Sequence, residues 1–225
     1  METALTVNLY TMEESMAGEW LSGFKYPWEA LKEIGYIIKK LSLHLDTDIY
    51  EKRGEDIWIA ISAKIWPTVS VTGPCIIGER TEVRQCAFIR GNALVGNDCV
   101  VGNSTELKNV ILFNHVQVPH YNYVGDSILG FYSHMGSGSI TSNVKADKKN
   151  VTVKDYLSGE QIETGIKKFG AMLGDHVEVG CNSVLNPGTV VGRNSNIYPL
   201  SGVRGVIPEN SIYKNKDEIV KKLEE

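Results

Sequence analysis

A histidine, a tyrosine and two cations stand at spacings that could bring them together. Arg90 and Lys108 are 18 residues apart, and the stretch "VPHYNYVGDS" that follows carries His120 and Tyr123. Two adjacent cations favour a phosphate or another anion. A histidine can accept a proton near neutral pH, so His120 beside such a site is a candidate general base. These residues meet only if the chain returns to the same place about every 18 residues.

Aliphatic residues recur every six positions on both sides of this stretch. The first series consists of Ile65, Val71, Ile77, Val83, Ile89, Val95, Val101, Leu107 and Phe113. The spacing returns from Leu173 to Val203, often with glycine after the aliphatic residue. Neither a helix nor an ordinary strand has this period. It predicts an all-β fold, a left-handed parallel β-helix of hexapeptide repeats, in which three hexads form a triangular coil and coils stack about 4.8 Å apart.

Coils of 18 residues place Arg90 and Lys108 on one face in adjacent coils. The rhythm then loses one residue around Pro119, so Gly125 is expected to stack on Lys108. Proline lacks the N–H group that a strand ladder uses. We therefore expect a deformed coil where His120 lies beside the two cations.

Three segments lie outside the repeat. Residues 26–41 carry Trp28, Leu31 and Ile34 on one helical face and predict an amphipathic helix. Residues 215–225 predict a short C-terminal helix. An insertion at about residues 144–170 is polar and resembles a hairpin that turns at Ser158 and Gly159. The expected organisation is an N-terminal helical extension, residues 1–56, and a β-helix domain, residues 57–225.

The composition narrows the function classes. The formal net charge of -4 gives no bulk electrostatic case for nucleic acid or an anionic membrane. No apolar run approaches a membrane span, and the first residues do not resemble a signal peptide, so a cytoplasmic location is expected. Cysteines without C-x-x-C spacing predict free thiols, and they are Cys75, Cys86, Cys99 and Cys181.

The stretch "HYNYVGDS", followed by "GSGSITSN", resembles the C-terminal acetyltransferase domain of the bifunctional N-acetylglucosamine-1-phosphate uridylyltransferase/glucosamine-1-phosphate acetyltransferases. The resemblance runs from about residue 65 to residue 213. The insertion containing "GEQIETGIKKFGAMLGD" looks more like the archaeal sugar-1-phosphate nucleotidylyltransferase branch. Residues 1–60 are too few for a nucleotidylyltransferase domain and lack its glycine-rich loop. Only the acetyltransferase half is therefore expected.

The resemblance implies an activity, which is acetyl-CoA-dependent N-acetylation of a hexosamine 1-phosphate similar to glucosamine 1-phosphate. It also implies a homotrimer that binds acetyl-CoA between neighbouring β-helices, and no metal. Residues 57–225 would then form the acyltransferase domain. An ammonium group cannot attack a thioester, so the reaction needs a base.

The resemblance also implies a set of site residues. His120 corresponds to the catalytic base of the family. The substrate-binding residues are Arg90, Lys108, Tyr123, Asn143 and Lys149. The coenzyme-binding residues are Gly136, Ser137, Cys181 and Lys216, and backbone N–H groups of residues 136–138 would support the oxyanion. This chain departs from the bacterial pattern at His134, where asparagine is usual, and at Cys181, where a serine is usual.

Two other functions fit parts of the pattern. His115 and His120 match the spacing of two zinc ligands in gamma-class carbonic anhydrases, which share this fold, but no histidine between His44 and His115 supplies the third ligand. The β-helix could instead be a non-catalytic module that binds sugar phosphate or drives oligomerisation. A module of that kind would bind sugar phosphate without acetyl-CoA.

Overall fold

The computed structural model of the protein describes residues 1–223. In that range the helices lie in the first 42 residues and are short: α1 Thr6–Leu9, α2 Gly18–Ser22 and α3 Ile34–Ser42, with 3-10 helices at Glu2–Ala4, Met12–Glu14 and Pro27–Lys32. The single helix expected over residues 26–41 is therefore divided at Glu33. Glu29 accepts a hydrogen bond from the Tyr26 backbone N–H and begins the 3-10 helix, which places Trp28 and Leu31 in the core.

The strands are short and run from residue 50 to residue 221. In chain order they are β1 Tyr50–Gly54, β2 Ile57–Ala60, β3 Lys64–Ile65, β4 Ser70–Thr72, β5 Cys75–Ile77, β6 Glu82–Val83, β7 Phe88–Arg90, β8 Ala93–Val95, β9 Val100–Asn103, β10 Glu106–Leu112, β11 Gln117–His120, β12 Tyr123–Leu129, β13 His134–Met135, β14 Ile140–Thr141, β15 Thr152–Lys154, β16 Gln161–Glu163, β17 Ala171–Leu173, β18 Glu178–Val179, β19 Val184–Leu185, β20 Thr189–Val191, β21 Asn196–Ile197, β22 Gly202–Val203, β23 Val206–Ile207, β24 Ser211–Asn215 and β25 Glu218–Lys221.

Parallel pairing stacks these strands into three faces. Face 1 contains β4, β7, β10, β12, β14, β19 and β22. Face 2 contains β2, β5, β8, β10, β12, β17, β20 and β23, because β10 and β12 cross the corner between faces 1 and 2. Face 3 contains β3, β6, β9, β11, β13, β18, β21 and β24. The expected left-handed parallel β-helix is confirmed as a β-solenoid of about 9 turns.

The aliphatic positions of the repeat fill the interior. From Ile77 to Leu107 every residue of the first series is fully buried, and the second series is 0–3% exposed. Ile65 and Val71 are half-buried, because they belong to the first coil and no coil covers their open side. One coil cannot bury its own apolar edge, so the end of the stack stays partly open.

The lost residue lies earlier in the chain than expected. Leu107 pairs with Ile89, 18 positions back, but Leu112 pairs with Val95, 17 positions back. The residue is therefore missing at the corner after Lys108, and the position expected around Pro119 is wrong. Phe113 consequently leaves the interior register, which Leu112 occupies, and its ring stacks on Tyr10 at 5.0 Å.

The N-terminal segment covers face 2. The outward side chains of that face include Ile76, Leu94, Ile111 and Ile128, and all are at most 1% exposed. Helix α3 packs against β5, β8 and β10, and the Tyr10 hydroxyl donates to the Ile128 carbonyl at 3.3 Å. Strands buried on both sides are apolar at successive positions, as in "CII" and "ALV". The first 42 residues therefore bury the apolar outer side of the β-helix.

The insertion forms the expected hairpin. Strands β15 and β16 pair antiparallel with Val153 opposite Ile162. Gly159 has φ +77°, a left-handed conformation that glycine adopts readily, in the loop between them. Val151 and Val153 are fully buried against the β-helix, so the hairpin is fixed to the coils.

The C-terminal helix expected over residues 215–225 is wrong in the part of the chain that the structure describes. Strands β24 and β25 form an antiparallel hairpin there, with Ile212 opposite Val220. Asn215 Oδ1 accepts a hydrogen bond from the Asp217 N–H at 2.9 Å and tightens the turn. The last coil needs a partner for its edge, and β25 supplies it. Residues 224–225 lie outside the described residues.

Candidate active site

Arg90, Lys108 and Gly125 stack on face 1 as the sequence predicts. Leu107 pairs with Ile89, which aligns the cations that follow them, and Lys108 pairs directly with Gly125. A Cβ atom on Gly125 would lie 2.4 Å from the Tyr123 hydroxyl oxygen. Gly125 therefore leaves the space in which the phenol ring lies.

A buried carboxylate organises the residues above Lys108. Asp126 is 3% exposed, and its two oxygens accept hydrogen bonds from Lys108 Nζ at 2.9 and 3.1 Å. Asn109 Nδ2 donates to it at 3.0 Å and Asn143 Nδ2 at 2.5 Å. Asn143 Nδ2 also lies 3.2 Å from the Tyr123 hydroxyl oxygen. We call these five residues the Asp126 cluster.

The surroundings of Tyr123 favour its protonated form. Burial raises the pKa of Tyr123, and the negative charges of Asp126 and Glu106 raise it further. A phenol with a raised pKa is a hydrogen-bond donor at neutral pH. Tyr123 can therefore donate to an anion that enters beside Lys108.

Arg90 also has a carboxylate partner, which the sequence analysis missed. Its Nη1 donates to Glu106 Oε1 at 2.6 Å, and this hydrogen bond raises the pKa of Arg90. The pairing follows from the register, because Glu106 is the residue two before Lys108 and pairs with Phe88. Both cations of the column are thus neutralised by a neighbouring acid. A phosphate must exchange with Glu106 to reach the arginine.

His120 lies across a corner from the Asp126 cluster. It ends β11 on face 3, Tyr123 begins β12 on face 1, and Tyr121 and Asn122 form the corner between them. The buried Asn122 side chain fixes this corner, because its Oδ1 accepts from the His120 N–H at 3.1 Å and its Nδ2 donates to the Gly136 carbonyl at 2.9 Å. The His120 ring is exposed and makes no hydrogen bond within residues 1–223. The ring is therefore open to a substrate from solvent.

A separate groove on face 3 brings two of the coenzyme candidates together. Gly136 and Cys181 line it with His134, in a volume of about 320 Å³ whose walls are largely apolar. His134 Nδ1 lies 2.7 Å from Glu178 Oε2, on the same face. The histidine that replaces the usual asparagine is thus paired with a carboxylate at the edge of this groove.

Three predicted site residues lie apart from both places. Ser137 does not line the groove, although its carbonyl accepts from the Asn182 N–H at 2.9 Å. Lys216 is in the turn between β24 and β25, 84% exposed and 3.9 Å from Asp217. Lys149 is in the insertion, where it lines a surface groove with Lys145 and other lysines. No hydrogen bond or ion pair joins Lys149 to the Asp126 cluster among the described residues.

Two cations that the sequence analysis did not select line a cavity of about 620 Å³. Arg204 follows the buried Val203 on face 1, and Lys154 comes from the hairpin of the insertion. The signal was present, since Arg204 follows an inward aliphatic residue just as Arg90 follows Ile89. The second run of the repeat, from Leu173 to Val203, contains no motif that would have indicated a role for Arg204.

Residues 1–223 contain no group of three or more histidine, cysteine or acidic side chains that could hold a metal ion. The described helices include none long and apolar enough to cross a membrane. The four cysteines are free thiols, two buried and two exposed, as predicted.

The chain is similar to one family model and to several bifunctional proteins. The family model of the GMPPB C-terminal domain matches residues 71–168. The bifunctional protein GlmU of Methanococcus vannielii is 32% identical in an alignment of 233 positions, gaps included. The alignment covers 95% of this chain and 51% of the relative. The bifunctional sugar-1-phosphate nucleotidylyltransferase/acetyltransferase of Sulfurisphaera tokodaii is 31% identical over 65% of this chain and 40% of its own.

Among solved structures, the N-acyltransferase AntD of Bacillus cereus, in complex with dTDP and 3-hydroxybutyryl-CoA, aligns over 87% of both chains with 17% identity and a TM-score of 0.40. The chain spans about half the length of the curated relatives it matches. That half is their C-terminal acetyltransferase half. Over 95% of its length, this chain is thus similar to about half of a bifunctional GlmU protein.

Proposed function

We propose that this protein transfers the acetyl group of acetyl-CoA to the amine of a hexosamine 1-phosphate. The observation that carries the proposal is the match of 95% of the chain to half of a bifunctional GlmU protein. The name of the Sulfurisphaera relative includes acetyltransferase activity. The Asp126 cluster supports it, since lysine, tyrosine and amide donors converge beside the histidine motif.

His120 would act as the general base. It would take a proton from the substrate ammonium, and the neutral amine would attack the thioester carbon directly. The C–S bond then breaks, the attacking nitrogen loses its second proton to give the amide, and the departing thiolate of coenzyme A takes up that proton. Backbone N–H groups of residues 136–138 would support the negative charge on the carbonyl oxygen. No covalent intermediate on the protein is needed.

The sugar phosphate would be held on face 1. Arg90 would exchange Glu106 for a phosphate oxygen, and Lys108 would contribute charge while Asp126 keeps its side chain in place. Tyr123 and Asn143 would donate hydrogen bonds, and Lys149 would approach from the insertion. A charge-assisted contact of this kind is stronger than a neutral hydrogen bond.

The coenzyme would bind along the face 3 groove. Gly136 and Cys181 would contact the pantetheine chain in its apolar part, with Ser137 and Lys216 nearer its ends. A homotrimer would place the face of a neighbouring β-helix opposite this groove and close it. Residues 57–225 would then be the acyltransferase domain, and residues 1–56 an extension of it that covers face 2.

A comparison of two histidines tests the proposed base. We expect His120→Ala to lower kcat by about 10²–10⁴-fold, the range for loss of a positioned base. KM for the sugar phosphate should change little, because the cations hold the phosphate. Raising the pH should partly restore turnover, since more of the substrate amine is then neutral. The measurement is release of free coenzyme A thiol.

His115→Ala is the matched control, because His115 stacks on Tyr132 at the next corner and lies outside the proposed site. It should retain turnover. If His120→Ala also kept near-wild-type turnover, His120 would not be the base. A chain that bound sugar phosphate but released no thiol would instead favour the non-catalytic module.

A further inference from the structure

The cavity between the insertion and face 1 has two walls. One wall is the column that continues above Lys108 and Gly125, ending at Asn186 and Arg204. The other is the hairpin of β15 and β16, which carries Lys154 and Tyr156. A Cβ atom on Gly205 would lie 2.4 Å from the Lys154 carbonyl oxygen and 2.7 Å from the Tyr156 ring, so the hairpin is in close contact with the coil. This close contact fixes the position of the hairpin wall against the coil.

Its charge is not balanced from within. Lys145, Lys154 and Arg204 line the cavity with a single carboxylate, Asp147, which lies 3.4 Å from Lys145. Within residues 1–223, neither Arg204 nor Lys154 has an ion pair or a side-chain hydrogen bond. Arg90 lies in the same column as Arg204, but its charge is neutralised by an ion pair with Glu106.

The unpaired arginine is exceptional in this chain. Each of the other arginines has a carboxylate within ion-pair distance in the described residues, and they are Arg53, Arg80, Arg84, Arg90 and Arg193. The insertion, residues 144–170, holds six lysines and four acidic residues in a chain whose net charge is -4. Two of those lysines, Lys145 and Lys154, line this cavity, and together with Arg204 they give its walls a net positive charge on an acidic protein.

We infer that this cavity binds the diphosphate group of a small molecule. Arginine presents a planar fork that matches phosphate oxygens, and lysine adds a second point of charge. Two unpaired cations with Lys145 suit a ligand that carries two or more negative charges better than a single carboxylate. The volume of about 620 Å³ falls within the range of about 300–1,000 Å³ typical of small-molecule sites.

Tyr156 also lines this cavity, and its ring would contact a nucleoside diphosphate but not inorganic pyrophosphate. Its side chain is largely exposed, which leaves a ring face available for a nucleobase. A nucleoside diphosphate could stack there, whereas inorganic pyrophosphate would use the cations alone. Binding at this site does not require acetyl transfer, and it uses none of the residues of the Asp126 cluster.

The test is calorimetric titration of the full chain with inorganic pyrophosphate at low ionic strength. We expect a single site per chain, and we expect Arg204→Gln and Lys154→Gln each to weaken it by about tenfold, the usual loss for one charge-assisted contact. Added salt should weaken binding to the wild type. Arg53→Gln removes the same charge from the distant β1–β2 hairpin and should change the affinity less than about twofold.

Three results would overturn the inference: no binding of pyrophosphate to the wild-type chain, equal losses in Arg204→Gln and Arg53→Gln, or a loss in Arg90→Gln that Arg204→Gln does not show. Thermal unfolding verifies that each variant is folded. Titration with UDP then separates the two sources. If UDP binds more tightly than pyrophosphate and Tyr156→Ala removes that difference, the site recognises a nucleoside diphosphate. If both probes bind with equal affinity, the site recognises the diphosphate group alone.

Discussion

Arg90, the proposed phosphate anchor, donates a hydrogen bond to Glu106. Arg90→Ala should weaken binding of a hexosamine 1-phosphate by about 10- to 100-fold, as for a lost charge-assisted contact, and should hardly affect the free amino sugar. Glu106→Gln should have the opposite effect and tighten phosphate binding, because it releases the guanidinium. Titration of both ligands with both variants measures these changes. Equal losses of the two ligands in Arg90→Ala would show that the arginine is not a phosphate anchor.

Sequence reasoning located the cations of the site but not their partners. The spacing of 18 residues places Arg90 over Lys108, and the resemblance adds Tyr123 and Asn143, which share one hydrogen bond. The buried Asp126 was overlooked, because its role depends on a corner with φ +49° that directs the carboxylate back over Lys108. A hexad pattern reports which residues point inward. It does not report which corner side chains fold back onto a face.

At the scale of one coil, a substitution at Gly125 is expected to affect ligand binding more than stability. The atoms that a new Cβ atom would meet belong to the end of the Tyr123 side chain, which can move. Gly125→Ala should therefore change the free energy of unfolding by less than about 1 kcal/mol, yet displace the phenol from Asn143 and weaken sugar-phosphate binding by about tenfold. Urea unfolding and ligand titration provide the two measurements.

Gly202→Ala is the matched control, because no atom lies within 4 Å of the added Cβ. It should alter neither stability nor binding. Unchanged binding in Gly125→Ala would mean that the position of Tyr123 does not matter for the ligand.

The repeat predicts the interior columns well, and it fails at the corner with the missing residue and at the C-terminal end of the β-helix. The interior columns of face 3 and face 1 follow the hexads. The register of Phe113 was wrong, because a residue is missing at the Asn109 corner and later positions shift by one. The C-terminal helix was wrong, because "NKDEIVKKL" has helical periodicity but the unpaired edge of the last coil favours a strand. Tertiary context outweighed local propensity there.

At the scale of the whole molecule, two buried thiols make the free energy of unfolding depend on pH in the alkaline range. Burial raises the pKa of the Cys75 thiol from 9.0 to about 12 and that of Cys99 likewise. A raised pKa in the folded state stabilises the protein fully below pH 9, and this contribution is lost as the pH rises toward 12. In that window the free energy of unfolding should fall by about 1.4 kcal/mol per pH unit for each such thiol.

Between pH 9 and pH 11.5, the free energy of unfolding of Cys75→Ala should therefore fall less steeply with pH, and the slope should differ from that of the wild type by about one proton. The variant should be less stable than the wild type at neutral pH. Urea unfolding at several pH values measures the slope. Cys86→Ala removes an exposed thiol and should keep the wild-type slope. An unchanged slope in Cys75→Ala would contradict the assignment of the alkaline loss to the interior thiol.

Acetyl transfer by the chain on its own is the central claim, because the chain covers only half of its bifunctional relatives. The direct measurement is incubation of the purified protein with isotope-labelled acetyl-CoA and a panel of hexosamine 1-phosphates, followed by mass spectrometry of the sugar. We predict a labelled acetyl group on the amine nitrogen of at least one 1-phosphate, and little product from the free amino sugar. If the chain binds the sugar phosphates with the expected dependence on Arg90 but none becomes acetylated, the protein is a binding module and the proposed reaction is wrong.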